Sequence, residues 1–78
     1  MAQLKYIHTK SGFTIWPDMT NVWHKHMANL TREEVISAGF CIYDGESFHC
    51  FGGSESLGIQ SKPGDSEALT TFFEQTTS

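Results

Sequence analysis

Cations are scarce in this chain: five lysines and arginines stand against nine acids in 78 residues, a formal net charge of -4. Duplex binding calls for a basic stripe that displaces counterions from phosphates, so nucleic acid is not an expected partner. Long apolar runs are missing too. Nothing approaches the roughly 18 residues of a membrane span, and the opening Met-Ala-Gln-Leu-Lys-Tyr has no apolar signal-peptide core. The expected setting is therefore the cytoplasm, with no membrane partner. Cysteine is limited to Cys41 and Cys50, outside any CxxC or zinc-finger spacing. They read as two buried thiols acting as small hydrophobes.

Aromatic residues are not scarce. Six Phe, two Trp and two Tyr can build a compact core in a chain otherwise lean in aliphatics, which argues against disorder. There is no repeat or linker, so one domain is expected over residues 1–78, with a polar tail at 74–78 that frays. A domain this small supports no large buried catalytic apparatus.

The charge is unevenly distributed. Lys5, Lys10, Lys25 and Arg32 face only Asp18 in the first 32 residues. Lys62 is alone against Glu33, Glu34, Asp44, Glu46, Glu55, Asp65, Glu67 and Glu74 in the rest. The acidic half suits a basic protein partner, or simply a well-solvated surface.

Leu4 to Trp16 reads as a β-hairpin around Lys10-Ser11-Gly12, a three-residue loop that sets Thr9 opposite Phe13. In that register Ile7, Phe13 and Ile15 share one face, and Tyr6, His8, Thr14 and Trp16 the other. Met19, Val22, Trp23, His26 or Met27, and Leu30 follow a helical period, which predicts a helix over 19–30 capped by Asp18 or Thr20, with His24, Lys25 and Ala28 outward and His26 at the edge of the buried stripe. Residues 31–38 admit either a short helix or a turn and strand. The β-branched and aromatic Val35-Ile36 and Phe40–Tyr43 favour the strand. Asp44-Gly45 signals a second hairpin, returned by Ser47–Phe51. Leu57-Gly58-Ile59 reads as a short edge strand, and 63–75 as a helix with Leu69, Phe72 and Phe73 buried. The sum is an α+β fold: a small, mostly antiparallel sheet of two hairpins with helices packed on one face.

Chemical motifs are thin. His24 and His26 are two apart, which on a helix points them in different directions, so no metal site or cofactor is expected. Gly52–Gly58 has neither the GxSxG spacing of a nucleophile elbow nor a Walker ending. No nucleophile, base and oxyanion site come together, so catalysis is not expected. A small hydrolase pairing His49 with Cys41 or Cys50 is the weaker alternative. The candidate binding residues are Tyr6, His8 and Trp16, which could stack on a base or anchor a protein if the helices leave their face open. Glu55, Asp65 and Glu67 flank the loop before the last helix and form the candidate acidic cluster. Helix capping explains Asp65 and Glu67, whereas Glu55 is either a partner contact or a solvated loop residue.

The run Lys5-Tyr6-Ile7-His8-Thr9 with Gly12-Phe13, then Ile36–Phe40, then Ser56–Ile59 with Pro63-Gly64-Asp65-Ser66, resembles small uncharacterised proteins encoded on phages, prophages and other mobile elements. The resemblance implies an accessory protein that binds a host or competitor protein, as a counter-defence factor does, and carries over no site residue. A non-catalytic interaction protein is accordingly the leading expectation. A nucleotide-sequestering protein using Tyr6 or Trp16 is the alternative. A homodimer paired through the 57–59 edge is the expected form of self-association.

Overall fold

A computed structural model describes residues 2–77. Its elements, in chain order, are β1 (Gln3–Thr9), β2 (Gly12–Pro17), α1 (His24–Thr31), β3 (Val35–Tyr43), β4 (Phe48–Phe51), β5 (Gly53–Ser54), β6 (Ile59–Gln60) and α2 (Asp65–Thr77). β1 to β4 form an antiparallel sheet in the order β2-β1-β3-β4, while β5 and β6 pair separately. The α+β class expected from the two hairpin signals is the class observed.

The first hairpin closes one residue tighter than its sequence suggests. Thr9 faces Gly12 across a loop of only Lys10 and Ser11, and His8 faces Phe13. Because side chains alternate with period two, that single step exchanges the faces. Tyr6, His8, Phe13 and Ile15 now share one side of the sheet, and Ile7, Thr14 and Trp16 the other. The packing agrees: Tyr6 clusters with Cys41, Phe48 and Leu69, with Phe13 and Ile15 against them, whereas Trp16 joins Ile7 and Ala38. Gly12 makes the tight loop possible. Its φ of 130° lies in a region that L-residues avoid, and an added Cβ would sit 2.3 Å from the Phe72 ring. Gly12→Ala is expected to cost about 1–3 kcal/mol, from backbone strain plus displacement of Phe72. Thermal denaturation against the wild type reads it directly.

The helices lie on opposite faces of the sheet, not on one as expected. Leu69, Phe72 and Phe73 of α2 cover the Tyr6 side, while Met27 and Ala28 of α1, with Leu57 and Ile59, cover the Ile7 side. Both faces carry aromatics, so the sheet has two cores and alternation alone could not choose between them.

α1 starts five residues later than its apolar period suggests, and in a different phase. His24, Met27 and Ala28 turn inward, whereas Met19 is 98 % and Leu30 76 % exposed. Neither Asp18 nor Thr20 caps it. Trp23 is the N-cap residue, and its N–H donates to Nδ1 of His26 at 2.9 Å. The cause is the anchoring of the preceding segment: the Val22 carbonyl accepts both Trp16 Nε1 and Lys5 Nζ at 3.0 Å, which pins a bent, non-helical chain where a helical turn was expected. Arg32, left-handed at φ 58°, ends the helix.

Residues 35–43 are strand, as their β-branched and aromatic content favours. The second hairpin forms at its expected place, with both the Glu46 and Ser47 N–H groups donating to Asp44 Oδ1. Leu57-Gly58-Ile59 is not an edge of the main sheet. Ile59 pairs with Ser54, and Leu57 packs into the Ile7–Trp16 cluster. α2 begins at Asp65 and continues through Thr77, so most of the supposedly frayed tail is helical, with Ser78 outside the described residues. Its Ser66 and Thr70, one turn apart, accept the Cys50 and Phe48 N–H groups at 2.8 Å and so cover the outer edge of β4.

Candidate functional site

The fold disperses the residues singled out from the sequence. Tyr6 is fully buried and donates its hydroxyl to Asp65 Oδ2 at 2.5 Å. Trp16 is buried on the opposite face, its Nε1 donating to Val22. His8 is half-buried, stacked on Phe13 with ring centroids 4.1 Å apart. The open aromatic face required for base stacking by Tyr6 or Trp16 therefore does not exist. The acidic cluster is dispersed as well. Asp65 is buried, Glu55 lines a groove on the α1 side together with Lys5 and Phe40, and Glu67 lines a separate hollow on the α2 side. Alternation also separates the hydrolase pair: Cys41 and Cys50 point toward α2, while His49, paired with Ile42, points away and bonds Asp44 at 2.8 Å. Among the described residues no group of three or more His, Cys, Asp or Glu side chains could hold a metal ion.

Asp65 and Tyr6 have a structural task. Burial opposes the charge on Asp65, yet the Lys62 N–H and the Tyr6 hydroxyl together hold its carboxyl below the ordinary value. Burial first, and then the bond to Asp65, pushes the Tyr6 phenol far above its ordinary value. The pair ties the centre of β1 to the first residue of α2.

What the structure does assemble is a groove of about 460 Å³ on the α1 side, lined by Lys5, Trp23, His24, Phe40, Gly53, Glu55 and Ser56. Local chemistry holds each wall in place. Ser56 Oγ accepts the Lys25 N–H at 3.3 Å, fastening the β5–β6 turn to the start of α1. His24 is buried, and since its Nε2 sits 2.8 Å from the Gly39 carbonyl oxygen, that nitrogen carries the proton. Its ring meets Trp16 and Phe40 edge-on, with centroids 5.5 and 5.6 Å away. Lys5 is spent on Val22 and on Asp18, 3.8 Å distant. No protein-family model, curated protein or solved structure matches the chain.

Trp23, like Met19 and Leu30, is misplaced by sequence periodicity, and it is the one of the three that lines the groove. Assigned to a buried stripe, it stands 52 % exposed at the groove mouth, stacked on His26, with Lys25 Nζ 4.8 Å from its ring centroid. Beyond Phe40 the exposed Phe51 continues the apolar surface, its ring 6.1 Å from that of Phe40. An exposed Trp held over a concave, partly apolar floor and bordered by a cation and an acid can receive an apolar side chain together with charges at the rim.

Proposed function

We propose that the chain is a non-catalytic protein-interaction domain that binds its partner through this groove. The observation that carries the reading is Trp23, half-exposed above a pocket floored by Phe40 and His24. Hot spots of protein interfaces are enriched in Trp and Tyr that sit beside a desolvated pocket with a polar rim. The partner chemistry that fits is an apolar or aromatic side chain entering the groove, with a basic group meeting Glu55. Nucleotide fits less well. Glu55 would repel a phosphate, and Lys5, the cation lining the groove, already serves Val22 and Asp18. The resemblance to mobile-element accessory proteins points to a host or competitor protein as the partner. Self-association is the second form of protein binding. Its edge would be β2, since α2 hydroxyls occupy the outer amides of β4.

Trp23→Ala is expected to weaken partner capture at least tenfold, a loss of about 2 kcal/mol typical of a Trp hot spot. Its effect on stability is within about 0.5 kcal/mol, because the ring is largely outside the core. Glu55→Lys should weaken capture at low salt and less so at high salt. Immobilised wild type and variants, compared for the amount of one partner retained, give the answer. Equal retention by wild type and Trp23→Ala would overturn the proposal.

A further inference from the structure

Cys41 and Cys50 are paired residue for residue across β3 and β4, and both are free thiols. Antiparallel pairs alternate between hydrogen-bonded and non-hydrogen-bonded positions, and the edge contacts of β4 identify which kind this is. The N–H of Cys50 points away from β3, to Ser66 Oγ at 2.8 Å, and that of Phe48 points the same way, to Thr70. Cys41 and Cys50 therefore occupy a non-hydrogen-bonded pair, where Cα atoms approach to about 4.5 Å and side chains stand closest. That spacing lies inside the range of about 4.4–6.8 Å that a disulfide spans. Both side chains point to the α2 side, next to Tyr6.

We propose that Cys41 and Cys50 form a reversible dithiol–disulfide site on which hydroperoxides act. Cys50 is the attacking thiol. It is the less buried of the two, and hydrogen bonds from the Cys41 thiol and then the Ser66 hydroxyl lower its ionisation point, against the opposing effects of burial and of the nearby Asp65 carboxylate. Cys41 is raised by its bond to Cys50 and by burial, and stays protonated as the resolving thiol.

The Cys50 thiolate attacks the distal oxygen of the peroxide. An S–O bond forms, the O–O bond breaks, and the leaving alkoxide or hydroxide takes up a proton. Cys41 then attacks the sulfenic sulfur, the S–O bond breaks, and water leaves carrying the Cys41 proton. The two sulfurs lose two electrons in total and the peroxide gains them, so one dithiol and one hydrogen peroxide give one disulfide and two waters. No backbone rearrangement is required, because the ladder already sets the two Cβ atoms face to face.

The test treats the folded full-length chain with hydrogen peroxide and follows intact mass and peptide mapping. The expected product is monomeric, two hydrogens lighter, with the Cys41 and Cys50 peptides linked, and dithiothreitol restores the starting mass. Oxidation should also raise the melting temperature above that of the reduced chain. Ser66→Ala should slow the reaction several-fold, and Cys41→Ser should stop at Cys50 sulfenic acid, trapped by dimedone. Three results would overturn the proposal. One is sulfinic or sulfonic acid at Cys50 with Cys41 still reduced in the wild type. Another is linkage only between chains. The last is no reaction at a peroxide dose that oxidises the same chain in urea.

Discussion

Asp65→Ala lowers the unfolding free energy by about 3 kcal/mol, combining a buried hydroxyl left without its acceptor and a lost contact at the start of a helix. Asp65 is 3 % exposed and accepts both the Tyr6 hydroxyl and the Lys62 N–H. Tyr6→Phe is the gentler cut. It keeps the ring in its cluster and removes one charge-assisted hydrogen bond, an expected loss of about 1.5–3 kcal/mol. The effect has a pH signature with two limbs. Asp65 ionises more readily folded than unfolded, so its contribution is complete above the unfolded value of about 3.9 and is lost as pH falls through the lower folded one. Tyr6 is shifted the other way, so its share holds below about 10 and is lost as pH rises beyond it. The stability difference between wild type and Tyr6→Phe should therefore be flat near neutrality and shrink at both extremes. Chemical denaturation across pH measures it, and a difference that stays constant below pH 4 would contradict a hydrogen bond to ionised Asp65.

Leu69→Ala is the second large effect, with about 3 kcal/mol expected from the usual range of about 2–5 for a buried leucine. Leu69 is 1 % exposed, enclosed by Tyr6, Cys41 and Phe48. A domain of 78 residues has roughly 4–12 kcal/mol in all, so this substitution removes a sizeable part of it. The informative comparison is Leu30→Ala. The apolar period places Leu30 in a buried stripe, but the fold leaves it 76 % exposed, and its truncation should stay within about 0.5 kcal/mol. Equal losses at Leu30 and Leu69 would contradict the helix phase described here.

The contrast shows what the sequence carries and where it stops. The α2 stripe of Leu69, Phe72 and Phe73 was legible because its helix packs along one side only. The second hairpin was legible because Asp44 itself bonds the turn amides. The pairing of Cys41 with Cys50 is not legible from that signal, because a two-residue Asp44-Gly45 loop sets Cys41 opposite Phe48, whereas the ladder pairs Tyr43 with Phe48 and Cys41 with Cys50. The first hairpin misled because Gly12 can serve as the last loop residue or the first strand residue, and one step interchanges Tyr6 and Trp16 relative to their neighbours. α1 misled because Trp16 and Lys5 hold the Val22 carbonyl, a long-range bond that no local period encodes. The candidate site suffered most. Trp23 reads as core by its spacing, and nothing local announces that the helix begins only at His24, leaving Trp23 as its N-cap. The signal that could have exposed it is the run His24-Lys25-His26 directly after Trp23, three polar residues within one turn of the aromatic.

The claim that matters most is that the partner seats on the Trp23–Phe40 groove. Site-specific photo-crosslinking tests it most directly, because it reports position without requiring a substitution in the groove floor. A photoreactive phenylalanine analogue is placed at Ser56, on the groove rim, in one chain and at Thr71, on the exposed α2 side, in another. Each is irradiated in the cell lysate from which the wild type retains its partner. The account predicts one discrete adduct with that partner from residue 56 and none from residue 71. An adduct from residue 71 with none from residue 56 would contradict it.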